Sequence, residues 1–211
     1  PHSALNYQTP SEFAAAWRKG NSDSEGSDIT KWALYLILGA GHKALVAEIN
    51  KLTQEAVNPS GKRLEFEMHG ERFFQNLRLN DAILFTQNHY DKGIQNGSLG
   101  TLTRIDSSGE SYGEVTLDTG DKVEVTQSVL DCMELGYAIT LHKAQGSQFP
   151  RIIIALQKGK IVDRAWLYTA ITRAEVEIHI VGSSDELRVI TEAHSNSHKR
   201  NSYLSELLHQ N

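Results

Sequence analysis

The stretch AITLHKAQGSQFPRIIIA, residues 138–155, constrains this chain more than any other. Ala138, Ile139 and Leu141 begin like a strand. Ile152, Ile153 and Ile154 form a continuous apolar run, the pattern of a segment buried on both sides. Between them lie seven residues, His142 to Gln148, with almost no apolar surface. A short polar turn between two core segments is a mark of an α/β sheet, which binds ligands beyond the carboxyl ends of its strands. The turn is predicted to open a helix near 143–147, where backbone N–H groups attract anions. Thr140, His142 and Lys143 would lie beside that edge, and Gly146 would let the backbone approach a ligand closely.

The rest of the chain alternates between two patterns. Trp32–Leu38 reads as a strand, broken by Gly39-Ala40-Gly41. Leu45, Val46, Ile49, Leu52 and Val57 fall near helical spacing, which predicts a helix from His42 to about Val57, stopped by Asn58-Pro59-Ser60-Gly61. Short strands follow at 64–68, 81–85, 100–105, 114–117 and 122–126. Asn96-Gly97 is a turn signal and Asp118-Thr119-Gly120-Asp121 a hairpin signal. Strands about ten residues apart suggest a small β-barrel. From Gly136 the α/β pattern returns, with strands expected at 138–141, 151–156 and 177–181 and a helix at 163–174. Ser11–Trp17 could form a short capped helix and Gly20–Asp28 a linker; the polar tail 184–211 reads as helical. The expected organisation is an N-terminal segment and linker over 1–30, an α/β domain from 31–62 and 134–190, a β-barrel insertion with its lead-in over 63–133, and a polar tail over 191–211.

Several function classes lose support. The net charge of −5 means that any nucleic-acid contact must be local. One cysteine, Cys132, allows no internal disulfide and reads as a small buried hydrophobe. The run from Ala33 to Ala40 is far short of the roughly 20 residues a membrane span needs. The first residues lack a basic region followed by an apolar core, so the expected location is cytoplasmic, away from any membrane. His194 and His198 stand i,i+4 without a cysteine or carboxylate cluster around them, and a solvated tail is expected, with no metal. No G-x-S-x-G elbow is present, and Asp163 and Glu175 read as helix-end or surface charges. The Gly-Lys pairs, Gly61-Lys62 and Gly159-Lys160, lack both a glycine five residues earlier and a following Ser or Thr, so there is no phosphate loop.

A second stretch, LYTAITRA over 167–174, puts Arg173 at the end of a mostly apolar helix, before a strand. A guanidinium there could fork onto a phosphate; the plain alternative is a favourable surface charge at a helix C-terminus. Taken together, GYAITLHKAQGSQFPRIIIAL, then DRAWLYTAITRA, then a strand ending IHIVG resemble the last two motifs of superfamily 1 DNA helicases of the RecD-like group. LILGAGHKALVAEINKLTQEAVNP resembles the strand and helix that open the second motor domain there. LNDAILFTQNHYDKGIQNGSLGTLTRI resembles the segment leading into that domain's inserted barrel. These segments occur in the family's order and cover about residues 31–183.

The resemblance implies an α/β fold, a RecA-like second helicase domain with an inserted small SH3-like β-barrel. It implies ATP in a cleft between two RecA-like domains, with Mg²⁺ held mainly by an N-terminal motor domain absent from this sequence. Arg173 falls at the arginine finger, and Gln145, Gly146 and Gln148 fall by the nucleotide. Thr140, His142 and Lys143 fall toward the DNA backbone. Asn88 and Tyr90 lie in a loop near DNA, where Tyr90 could stack on a base or cover the barrel. Implied partners are single-stranded DNA, the missing RecA-like domain, and nuclease or recombination subunits; the implied polarity is 5′ to 3′. Gln148 stands where the family usually has glutamate, and only His42 and Lys43 stand where an arginine is common near Gly39. Without a phosphate loop the chain alone should not hydrolyse ATP. The alternative is a vestigial helicase-fold module of a conjugative or mobile-element protein, used for DNA binding or docking. Trp166 and Tyr168 are expected in the core.

Overall fold

A computed structural model describes residues 35–39, 43–68, 71–106, 111–156 and 162–192, with the backbone alone for Tyr35 and Met68. The expected helix at Ser11–Trp17, the linker at Gly20–Asp28, His42 and the tail beyond Glu192, including His194 and His198, lie outside the described residues.

Strand β1 (Tyr35–Gly39) runs into helix α1 (Lys43–Val57). Strands β2 (Arg63–Met68) and β3 (Glu71–Arg78) pair as an antiparallel ribbon. Then come β4 (Ala82–Phe85), β5 (Leu99–Ile105), β6 (Gly113–Leu117), β7 (Lys122–Glu124), the short helix α2 (Gln127–Leu130) and β8 (Met133–Leu135). The chain closes the α/β part with β9 (Ala138–Thr140), β10 (Phe149–Ala155), α3 (Arg164–Ile171), β11 (Ala174–Val181) and α4 (Ser184–Glu192).

The α/β part is a four-stranded parallel sheet in the order β11-β10-β1-β9. Helices cover both faces, which is why its central strands are continuously apolar. Leu36, Leu38, Ile152 and Ile154 pack with Trp166, Leu167 and Ala170 of α3 and Ile190 of α4. The opposite face brings Ile37, Ala138 and Ala155 against Leu45, Val46 and Ile49 of α1. Each fully buried Leu or Ile contributes roughly 1.5–3 kcal/mol. Gly39 allows the closest approach: a Cβ there would lie 2.7 Å from Val46 Cγ2, so α1 sits directly on the end of β1.

The intervening segment forms a five-stranded antiparallel sheet in the order β7-β6-β5-β4-β8. Its core holds Ile83, Phe85, Ile94, Leu102, Val115, Val123, Val125 and Cys132, together with Leu64, Phe66 and Leu77 from the ribbon. The hairpin at Asp118–Asp121 forms as expected, with Gly120 at φ 92°. Cys132 is buried, as the sequence predicts.

Several expectations are revised. Strand β3 was not foreseen, because six of its eight residues are exposed and show no alternation. Strands β10 and β11 begin earlier than expected, at Phe149 and Ala174, and α3 is shorter, ending at Ile171. The largest revision concerns the polar turn. Residues 141–146 do not open a helix; they form hydrogen-bonded turns, and the chain then extends into β10. Among the described residues no helix is long and apolar enough to cross a membrane.

Candidate functional site

The polar turn is a crossover between the two ends of the parallel sheet. Thr140, the last residue of β9, pairs with Gly39, which in turn pairs with Ala155 at the carboxyl end of β10. The turn ends at Phe149, the first residue of β10. Phe149 lies six steps before Ala155, about 20 Å away at roughly 3.3 Å per residue. An eight-residue helix over 141–148 would span only about 12 Å at 1.5 Å per residue. The chain therefore coils first and extends afterwards. Lys143 N donates to Thr140 O (3.0 Å), Ala144 N to Leu141 O (3.1 Å) and Gln145 N to His142 O (3.3 Å). Gly146 then adopts φ 85°, a left-handed conformation that favours glycine. A Cβ there would meet nothing within 4 Å, so backbone conformation rather than crowding requires the glycine.

At the carboxyl end, Thr140 and Lys143 line a cleft of about 540 Å³. Its floor is apolar, from Leu84, Leu135, Ala138 and Ile139, and Gln75 and Asn76 of the ribbon close one side. Lys43 and Lys51 of α1 join Lys143 on its rim, against the single acid Glu134, whose Oε2 lies 3.6 Å from Lys143 Nζ. That pair is partly exposed and worth about 0–1 kcal/mol, so it leaves the lysine available. The cleft is thus locally cationic on an acidic chain. The motifs single out Lys43 and Lys143; Lys51, Gln75 and Asn76 escaped notice, because helical spacing gives no hint of which face of α1 meets the ribbon. His142 is exposed beside the turn.

The loop between β4 and β5 reaches the same edge. A Cβ on Gly97 would lie 3.2 Å from Lys143 O, so the Asn96-Gly97 turn rests on the crossover. Asn88 ties this loop together: its Nδ2 donates to the Tyr90 hydroxyl at 2.9 Å, and its Oδ1 accepts from Asn96 N at 2.7 Å. Tyr90 is 75% exposed. The structure therefore brings Thr140, His142, Lys143, Asn88 and Tyr90 to one end of the sheet.

Arg173 stands at the other end. It follows α3 by two residues, in the link to β11, rather than lying in the helix. Its carbonyl accepts from Phe149 N at 2.8 Å, and its Nη1 donates to Ser147 O at 3.1 Å. Its Nε lies 3.3 Å from Thr169 O, in the last turn of α3. The ordinary role of an arginine at a helix C-terminus is thus realised. Among the described residues no carboxylate pairs with it. Gly146 and Gln148 are exposed beside it, as is Gln145 in the turn. Asp163 caps α3, accepting from Trp166 N at 2.9 Å. Trp166 is buried as expected, but Tyr168 is 70% exposed and not a core residue, since it lies on the face of α3 turned away from the sheet.

The donor set at Arg173 fits one side of a nucleoside triphosphate site: among the described residues its guanidinium is engaged only by the carbonyls of Ser147 and Thr169 and the Thr172 hydroxyl, next to a turn whose residues 145–148 are exposed. Among the described residues no group of three His, Cys, Asp or Glu side chains converges.

Comparison with known proteins finds likeness to helicases. Residues 135–181, from β8 to β11, match the UvrD-like helicase C-terminal domain. The likeness to RecD-like helicases extends further. The ATP-dependent RecD2 DNA helicase of Deinococcus radiodurans is 32% identical over 115 residues, covering 53% of this chain and 15% of that protein. The RecBCD enzyme subunit RecD of Mycolicibacterium smegmatis is 28% identical over 128 residues, covering 60% of this chain and 22% of the relative. This chain thus spans less than a quarter of either. A structure of two coordinating Pif1 helicases at forked double-stranded DNA superposes with a TM-score of 0.55 at 20% identity, covering 86% of this chain and 49% of that one. At that identity the likeness is one of fold: a mixed α/β architecture with a parallel sheet.

Proposed function

We propose that this chain is the C-terminal half of an ATP-dependent helicase or translocase that moves on single-stranded DNA, 5′ to 3′. In this reading Arg173 is the arginine finger, reaching a phosphate held mainly by a first RecA-like domain elsewhere in the protein. Gln145, Gly146 and Gln148 flank the nucleotide. Thr140, His142 and Lys143 hold the DNA backbone, joined by Asn88 and Tyr90 from the antiparallel sheet, which acts as an SH3-like barrel inserted in the RecA-like domain. ATP and Mg²⁺ are the cofactors, with the Mg²⁺ ligands supplied by the other domain. Nuclease or recombination subunits are candidate partners and the cytoplasm the expected location. The chain alone, lacking a phosphate loop, should not turn over ATP.

One observation carries this reading: a single eight-residue crossover, Leu141–Gln148, starts beside a cationic cleft and ends on the guanidinium of Arg173. A motor needs its track contact and its nucleotide contact joined by covalent structure, and this segment is such a joint. The test is single-strand-stimulated ATP hydrolysis by the longer protein that carries this chain, with and without Arg173→Ala, alongside DNA binding. Loss of a finger costs roughly 10³–10⁵ in rate, so turnover should fall by that order while DNA binding persists. A parent protein with no turnover would contradict the motor reading, and an active Arg173→Ala variant would contradict the assignment of the finger.

A further inference from the structure

The antiparallel sheet and its ribbon are joined to the parallel-sheet body by two chain crossings. The chain leaves α1 at Asn58 and returns at Tyr137, just before β9. Two chain crossings alone would make a hinge, and Leu84 and Leu99 of the inserted sheet add packing against the parallel-sheet core. Here both crossings are tied to one carboxylate inside the inserted segment, Asp81, which is 0% exposed.

Its Oδ1 accepts from Asn58 Nδ2 at 2.7 Å and from the Tyr137 hydroxyl at 2.9 Å. Its Oδ2 accepts from Gln54 Nε2 of α1 at 2.5 Å and from Arg78 N at 2.7 Å. Four donors fill the roughly four lone-pair sites of a carboxylate, and the bond from each crossing lands on the same oxygen. The surroundings repeat the linkage. Arg78 Nη1 donates to Asn58 O at 2.7 Å, Gln54 Nε2 to Asn76 O at 2.9 Å, and Asn58 Nδ2 to Leu79 O at 2.8 Å. On the exit side Gly136 N donates to Ala82 O at 2.7 Å, and Ile37 N of β1 to Tyr137 O at 3.0 Å. Burial and the adjacent Asp81 charge push the Tyr137 hydroxyl well above its ordinary pKa, favouring the protonated form that donates.

We propose that Asp81 is a positioning residue, a lock on this two-strand hinge that fixes the inserted sheet to the parallel-sheet body and so holds the loop of Asn88 and Tyr90 over the crossover of Thr140 to Lys143. The purpose of that fixed spacing rests on the proposed function; the lock itself does not.

Three variants of the full chain test it. Asp81→Asn replaces one acceptor oxygen by a donor and leaves two donors facing it. Tyr137→Phe removes a single bond on the exit crossing. Gly136→Ala never touches the carboxylate, but places a Cβ 2.8–3.0 Å from the backbone of Ile83 and Leu84 and wedges that crossing open. Cys132 is 1% exposed, so engineered surface cysteines can be spin-labelled selectively. One pair, Asp121 and Arg188, spans the two bodies. Asp121 with Asn96 and Glu55 with Arg188 serve as controls within each body. The expected result is one narrow inter-body distance in the parent and a broadened one in all three variants, with both control distances unchanged. Affinity for single-stranded DNA should fall roughly tenfold, the equivalent of about 1.4 kcal/mol. If an inter-body distance as narrow as the parent's persists in Tyr137→Phe and Gly136→Ala, with only the melting temperature lowered, Asp81 is a fold-stabilising group and the lock is wrong. Should Asp81→Asn fail to fold, the other two variants still decide. If the distances respond as expected while the longer protein carrying this chain, with and without the substitutions, ignores DNA, the proposed function falls and the lock stands.

Discussion

The two ends of the crossover handle charge in opposite ways. The carboxyl end spreads positive charge: Lys43, Lys51 and Lys143 ring an open cleft with an apolar floor, and among the described residues that line it Glu134 is the one acid. The amino end concentrates it in Arg173, whose guanidinium is held by the carbonyls of Ser147 and Thr169. Diffuse lysines suit a repeating polyanion, which must be gripped and released without a fixed geometry. A single planar fork held from behind suits one phosphate in one position. The same eight residues belong to both ends, so the two are joined by continuous backbone.

The largest expected effect is at Arg173. Arg173→Lys keeps the charge but loses the fork, and turnover by the longer protein should fall by roughly 10³ or more, with the affinity for single-stranded DNA unchanged. Steady-state hydrolysis beside fluorescence anisotropy measures both. If lysine restores turnover, charge alone matters at that end and the contrast collapses.

Next in size is the lysine ring. Replacing Lys43, Lys51 and Lys143 together by alanine should lower the slope of log affinity against log salt by about 2, at roughly 0.7 per phosphate contact on a single strand. A slope that does not change would place the DNA elsewhere. Tyr90→Ala should cost about 1–3 kcal/mol of binding if the exposed ring stacks on a base. Tyr90→Phe keeps the ring and loses only the Asn88 bond, so its binding should stay near the parent's. The smallest effect is at Gly146: alanine at φ 85° should cost about 1–2 kcal/mol of stability, visible as a lowered melting temperature.

What the sequence reveals follows from how local each signal is. The run Ile152–Ile154 announces a strand buried on both faces, and the periodicity from Leu45 to Val57 announces α1, because both patterns are set by one element's own packing. The motif residues are legible as types, since a basic turn and an arginine before a strand survive without any knowledge of neighbours. The resemblance already divides the turn between two ligands, but that the two groups stand at opposite ends of the sheet was not legible: it depends on β9 and β10 lying on either side of β1, which only the strand order shows. The crossover's failure to be a helix has the same origin, because the distance it must span is a property of the sheet. Asp81 and Lys51 went unnoticed for a related reason. A lone aspartate before a strand and a lysine on an amphipathic helix carry no mark of the partners, Tyr137 and the ribbon, that give them meaning.

The most direct test of the central claim is the dependence of ATP turnover on single-stranded DNA concentration in a His142→Ala, Lys143→Ala variant of the longer protein. If the two ends serve two ligands, the half-saturating DNA concentration rises roughly tenfold while maximal turnover stays within about twofold of the parent. A lowered maximal turnover with unchanged half-saturation would mean that His142 and Lys143 act on the nucleotide, and the division of the crossover into a track end and a nucleotide end would be wrong.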